Sequence, residues 1–71
     1  MSIEIVAPMP GIVAEVLVDI GDEVSTDQEL IFIEAMKMEI PICSTSDGKV
    51  KEIKVKEKDK VEADQILIVL G

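Results

Sequence analysis

A repeat of 37 residues is the feature of this sequence that most constrains its fold. Shifting the chain by 37 positions, without a gap, brings identical residues together along both halves. The identical pairs include Ile3/Ile40, Ile5/Ile42, Gly11/Gly48, Val13/Val50, Glu15/Glu52, Val18/Val55, Asp22/Asp59, Val24/Val61, Asp27/Asp64, Gln28/Gln65 and Ile31/Ile68. Two copies are too few for a stacked solenoid. The sequence therefore predicts one domain, residues 1–71, whose halves are related by approximate two-fold symmetry.

Each half contains short apolar stretches that are typical of β-strands. Residues 2–6 and 39–43 alternate apolar and polar side chains, as half-buried strands do, and residues 51–56 repeat the pattern. Residues 30–33 and 66–70 are continuously apolar, which is typical of strands covered on both faces. The predicted fold is all-β, a flattened sandwich or barrel of two antiparallel sheets with an internal pseudo-two-fold repeat.

The sequence also predicts local backbone features at several residues. Val50 breaks the alternation, which predicts a bulge nearby. Pro41 has no N–H to donate to a ladder, which predicts an edge strand or an outward-facing position. Gly11, Gly21 and Gly48 lie in turn-like stretches, and we expect each to adopt a positive φ.

The composition excludes several classes of function. The chain has no histidine and one cysteine, Cys43, so neither an internal disulfide nor a zinc site can be assembled, and Cys43 is expected to be a small buried apolar residue. A net charge of −8 and a single aromatic residue disfavour nucleic acid as a partner. No apolar run or leader pattern predicts membrane insertion or secretion, and we expect a cytoplasmic protein. An enzyme is not expected, because no nucleophile is paired with a base.

The repeat gives Lys37 a distinctive place in the predicted fold. The shift that aligns the halves maps Lys37 onto a position just before Met1, so a turn at Lys37 corresponds to the chain ends. Two-fold symmetry would put these features at opposite ends of the domain. A lysine on such a hairpin tip could present a group to a partner. Residues 34–39 are also good helix formers, but six residues between strands are too few for a stable helix.

The residues around this lysine carry a recognisable motif. The tip is Glu34-Ala35-Met36-Lys37-Met38, and an upstream stretch, residues 7–11, is Ala-Pro-Met-Pro-Gly. With the duplication, this pattern resembles the biotinyl domain of biotin-dependent carboxylases and decarboxylases over essentially the whole chain. The resemblance implies that a biotin protein ligase attaches biotin covalently to Lys37.

The same resemblance implies roles for the residues beside Lys37. Met36 and Met38 would help the ligase and later partners to identify the site, or would be ordinary apolar residues at a strand end. Ala35 belongs to the same tetrapeptide, and Glu34 would aid docking or keep the tip soluble.

A biotinyl domain would be a carrier without catalytic activity of its own. The resemblance implies that its partners are a biotin carboxylase, which forms carboxybiotin, and a carboxyltransferase or decarboxylase subunit, which consumes it. Residues 13–19 run directly into the turn at Gly21, with no room for the protruding loop of some bacterial acetyl-CoA carboxylase carriers. The pattern favours the simpler domain of decarboxylases, of propionyl-CoA or pyruvate carboxylases, or a free-standing carrier.

Two alternatives stay open. A lipoyl domain of 2-oxo acid dehydrogenase complexes shares the duplicated fold, but its lysine typically follows an aspartate, whereas Lys37 follows Met36. An unmodified structural hairpin module would have a similar fold, but such modules usually lack methionine on both sides of a tip lysine.

Overall fold

The computed structural model describes residues 2–71 and forms two four-stranded sheets. The strands are β1 (Ile3–Val6), β2 (Gly11–Val16), β3 (Glu23–Val24), β4 (Glu29–Ala35), β5 (Met38–Cys43), β6 (Gly48–Ile53), β7 (Lys60–Val61) and β8 (Ile66–Leu70). Their order is β1-β8-β6-β3 in one sheet and β5-β4-β2-β7 in the other, and the neighbouring strands pair antiparallel. The all-β prediction is confirmed. Residues 2–71 contain no helix long and apolar enough to cross a membrane.

The internal symmetry extends to single hydrogen bonds. Shifting by 37 residues converts β1, β2, β3 and β4 into β5, β6, β7 and β8, and converts the strand order of one sheet into that of the other. The turns repeat in the same way, with side chains accepting from backbone N–H groups at matched distances. The matched pairs are Asp19 N to Asp22 Oδ2 (2.9 Å) with Lys56 N to Asp59 Oδ2 (3.0 Å), and Ser25 N to Gln28 Oε1 (3.0 Å) with Glu62 N to Gln65 Oε1 (2.9 Å). The identical Asp and Gln residues of the repeat are therefore turn-forming residues.

The core consists of aliphatic side chains buried in symmetric pairs. Buried residues separated by 37 positions include Ile5/Ile42, Val13/Val50, Val18/Val55, Val24/Val61, Leu30/Leu67, Ile31/Ile68 and Ile33/Leu70. Because both sheets contribute to this cluster, neither half can bury its apolar face without the other.

Most strand predictions are confirmed, and the differences have local causes. The predicted bulge lies between Val50 and Glu52, and Pro41 lies on β5, an edge strand. β6 begins at Gly48 and ends at Ile53, earlier than the predicted 51–56, because residues before the bulge pair with β3 and β8. Cys43 is partly exposed rather than buried, since β5 has no neighbour beyond it.

The glycine predictions are correct only for Gly21, which has φ of 96°. Gly11 is instead required by a close approach of two strands. A Cβ atom at Gly11 would lie 2.5 Å from Ile33 Cγ2 and 2.7 Å from the Glu34 carbonyl oxygen. At the symmetric Gly48, the nearest atoms would be 3.5 Å away, which is an ordinary contact. The same repeated glycine therefore has a steric role in one half only.

These two glycines form a matched pair for a stability measurement. We expect Gly11→Ala to lower the free energy of unfolding by about 1 to 3 kcal/mol, because the new methyl group must displace backbone atoms. Gly48→Ala should change it by less than about 0.5 kcal/mol. Urea titration of both variants tests this, and equal destabilisation would contradict the steric assignment of Gly11.

One polar contact exists only in one half of the repeat. The backbone N–H and the hydroxyl of Thr26 donate to Asp47 Oδ1 at 2.7 and 3.1 Å. The symmetric positions are occupied by Ala63 and Pro10, which cannot form this contact. The hydrogen bonds from the backbone and then from the side chain of Thr26 hold the pKa of Asp47 below its ordinary value of 3.8. The contact therefore favours the ionised carboxylate.

This contact predicts a pH dependence of stability. A carboxyl group whose pKa is lowered by folding stabilises the protein at neutral pH, and that contribution is lost as the pH falls through the folded-state pKa. We expect the stability difference between the wild type and Asp47→Asn to shrink from about pH 6 to about pH 3. Thr26→Val, which removes only the hydroxyl donor, should have an intermediate effect. Parallel urea-unfolding curves for the wild type and Asp47→Asn across this range would refute the prediction.

Candidate functional site

The motif residues lie on the β4–β5 hairpin, where the chain reverses direction in two residues. Ala35 pairs with Met38 at the ends of the two strands, and Met36 and Lys37 form the turn between them. The structure thus has a tight hairpin here, and the helical alternative for residues 34–39 is wrong. The strongly apolar β4 and the pairing along the whole of β5 override the local helix propensity.

The turn has an unusual backbone conformation for its residues. Met36 and Lys37 have φ of 53° and 65°, so both lie in the left-handed region. Two consecutive positive φ values match a type I′ turn, whose twist suits a hairpin and which usually contains Asn and Gly. For residues with longer side chains this conformation costs about 1 kcal/mol or more each. Asp27, Lys58 and Asp64, which lie outside the motif, also have positive φ, but among residues 2–71 only Met36 and Lys37 are consecutive non-glycine residues in this region.

Lys37 is exposed at this turn, and its side chain takes no part in the hydrogen bonds and the ion pair found among residues 2–71. The Nζ atom is accessible to another protein. An accessible and unpaired primary amine is the group that an acylating enzyme requires, since the amine must lose a proton and attack an acyl carbon.

The residues beside Lys37 differ in exposure. Met36 is 86% exposed and Met38 is 66% exposed, so neither belongs to the core. Ala35 is buried and anchors the end of β4. Glu34 is exposed and pairs across the hairpin with Glu39, which places two carboxylates just below the tip. The methionines are therefore exposed apolar surface, and only Ala35 has a packing role.

The hairpin and the chain ends occupy equivalent positions at the two ends of the domain. β8 and β1, which carry the chain ends, pair with Ile3 opposite Leu70, as β4 and β5 pair beside Lys37. We call the end formed by the turn at Met36 and Lys37 the hairpin end, and the end near Gly71 the terminal end. β4 extends from the terminal end to the hairpin end over roughly 20 Å. This arrangement agrees with the prediction that Lys37 is remote from the chain ends, as far as residues 2–71 show them.

A groove of about 500 Å³ lies beside the turn, and we call it the hairpin groove. Its lining includes Ile12, Met36, Lys37, Lys60, Val61 and Glu62. Sequence reasoning singled out Met36 and Lys37 but missed Ile12 and Lys60. A signal was available, because Ile12 and Lys60 align in the repeat with Lys49 and Glu23, which are residues of different character.

These features fit covalent attachment of a carboxylic acid cofactor such as biotin. Biotin is linked through an amide, which needs one accessible lysine amine and no enclosing pocket. The turn supplies that amine with no internal partner, and the exposed methionines give the site an apolar surround. Lys37 is the residue that would hold the cofactor.

Comparison with known proteins gives consistent matches along the chain. A family model described as "Biotin-requiring enzyme" matches residues 1–70. The biotin carboxyl carrier protein of Streptococcus mutans is 45% identical over 65 residues, which are 92% of this chain and 50% of that protein. The biotin/lipoyl attachment protein of Bacillus subtilis is 44% identical over 63 residues, 89% of this chain and 86% of that protein. The pyruvate carboxylase of Staphylococcus aureus is 42% identical over 62 residues, 87% of this chain and 5% of that protein.

A solved structure gives the same result. Part of the Kluyveromyces lactis urea carboxylase superimposes with a TM-score of 0.95 and 31% identity, covering 100% of this chain and 6% of that one. The chain thus spans half of the Streptococcus protein and a small fraction of each carboxylase. The resemblance inferred from the motif and the duplication is confirmed, and the chain belongs to the biotin/lipoyl family of biotin-requiring enzymes.

Proposed function

We propose that this chain is a biotin carboxyl carrier, in which Lys37 holds covalently bound biotin and the domain itself catalyses no reaction. The observation that carries the proposal is an exposed, unpaired lysine on a strained two-residue turn, flanked by two exposed methionines. Family membership and the names of relatives, which include a biotin carboxyl carrier protein and several carboxylases, support it.

The residues of the tip have different roles in the attachment of biotin. A biotin protein ligase would recognise the exposed side chains of Met36 and Met38 and take up the amine of Lys37. The deprotonated Nζ attacks the acyl carbon of an activated biotin, an amide bond forms, and the activating group leaves. Acylation removes the positive charge of Lys37, so the carboxylates of Glu34 and Glu39 then dominate the charge of the tip.

The carrier role follows from tethering. Bound biotin accepts a carboxyl group at a biotin carboxylase site and delivers it at a carboxyltransferase or decarboxylase site. The domain keeps the cofactor at a high local concentration, of roughly millimolar order for a flexible tether, provided that the arm reaches both sites. The two-residue turn fixes where the arm begins, and both reactions belong to the partners. The cytoplasmic location stays a prediction from the composition.

Attachment at Lys37 is tested by intact mass after incubation with a biotin protein ligase, ATP and biotin. We expect the wild type to gain one biotinyl group and Lys37→Arg to gain none. Lys58→Arg is the matched control, because Lys58 is another exposed lysine with a positive φ, and it should be modified as fully as the wild type. Lipoylation of the wild type by a lipoate ligase, without biotinylation, would favour the lipoyl alternative. Failure of both ligases to act on folded protein would favour the unmodified structural module.

Because the turn is strained at Met36, a substitution there should have opposite effects on the stability of the domain and on its recognition by the ligase. Asparagine tolerates the left-handed region better than methionine, so Met36→Asn should raise the free energy of unfolding by about 0.5 to 1 kcal/mol. The same change removes an exposed apolar side chain from the recognition site, and we expect slower biotinylation. Urea unfolding and a time course of streptavidin-detected biotin measure the two effects. Unchanged or faster biotinylation would show that the Met36 side chain is not recognised.

A further inference from the structure

We propose that the hairpin groove binds the bicyclic ring of the biotinyl group carried by Lys37 of the same chain, an inference that rests on the function proposed above. The ring has an apolar face and a cyclic urea edge, which offers one carbonyl acceptor and two N–H donors. A matching site needs an apolar wall, a donor and an acceptor within reach of Lys37. The groove beside the turn contains all three.

The two ends of the domain provide an internal comparison for this site. A groove at the terminal end, lined in part by Val24, Gly48 and Gly71, also has a volume of about 500 Å³. It contains Asp47 and Lys49, whereas the symmetric positions of the hairpin groove contain Pro10 and Ile12. The same backbone therefore forms a polar groove at one end and a more apolar groove beside Lys37. Ile12 is 41% exposed, so its side chain is available for contact.

The charged residues of the two grooves also differ in a way that suits the urea edge. In the terminal groove, Glu23 pairs in register with Lys49, so opposite charges face each other across two strands. In the hairpin groove, Lys60 pairs in register with Ile12, and the acid of the same cross-strand row, Glu34, lies one strand further on, where it pairs with Ile12 from the other side. The ion pair found among residues 2–71 joins Lys54 to Glu52, and it leaves Lys60 out. The Lys60 ammonium is available to donate to the urea oxygen.

Glu62 and the arm, which is the biotinylated side chain of Lys37, complete the site. Glu62 lines the same groove, and its carboxylate can accept a hydrogen bond from a urea N–H. Met36 and Lys37 form part of the rim, so the flexible arm begins at the groove and can fold back into it. The bound ring would rest against its own domain between visits to partner enzymes, and it would leave when a partner site binds it more tightly.

The test compares unmodified and biotinylated protein by NMR with isotope-labelled side chains. We expect nuclear Overhauser contacts from the biotin ring protons to the exposed methyl groups of Ile12 and to the ring protons of Pro10, which also lines the groove. Pro10 and Ile12 are distant from Lys37 in sequence, so proximity along the chain cannot explain such contacts. Asp47 and Lys49, their symmetric counterparts in the terminal groove, are the internal control and should show none.

Two variants place the side chains of the terminal groove in the hairpin groove. Ile12→Lys and Lys60→Glu should each abolish the contacts to Pro10, whereas Ile12→Val and Lys60→Arg should retain them. Intact mass must show full biotinylation of every variant. Contacts confined to residues 35–39, or contacts to Pro10 that persist in both disruptive variants, would overturn the inference and leave the carrier function standing. Absence of the biotinyl mass from the wild type would overturn both proposals.

Discussion

The burial of paired aliphatic side chains across the internal two-fold is the interaction on which this structure depends. Each sheet contains strands of both halves, because β1 pairs with β8, β3 with β6, and β2 with β7. Residues such as Val13 and Val50 occupy equivalent places in one common core. A chain of 71 residues has little apolar area to bury, and neither half alone could offset the entropy of ordering its backbone. The two halves therefore depend on each other for their burial.

Much of the fold could be predicted from the sequence, because the repeat and the strand periodicity both reflect which side chains are buried. The duplication, the apolar strands β4 and β8, the bulge near Val50 and the edge position of Pro41 all came from side-chain pattern. The two-residue strands β3 and β7 could not, since two residues have no periodicity. Gly11 was misread because a glycine required by a neighbouring strand looks the same in sequence as a glycine required by a turn.

The candidate site could also be predicted only in part. The motif identified Lys37 and its flanking methionines, and the symmetry argument placed them far from the chain ends. The positive φ of Met36 and Lys37 was not foreseen, because turns of this type are recognised by Asn and Gly, and neither occurs here. Ile12 and Lys60 were missed because they enter the site through strand pairing rather than through proximity in the chain. Both are positions where the two copies of the repeat carry residues of different character.

The rigidity of the two-residue turn has a consequence for how far a carried group can travel. A tight type I′ reversal between paired strands leaves the backbone at Lys37 almost no freedom, so all local motion starts at the side-chain bonds beyond its Cα atom. The distance that a group attached to Lys37 can reach from the Cα atom is then set by the combined length of the lysine side chain and that group. Where two sites that such a group must visit lie further apart than twice that distance, the domain itself must move between them.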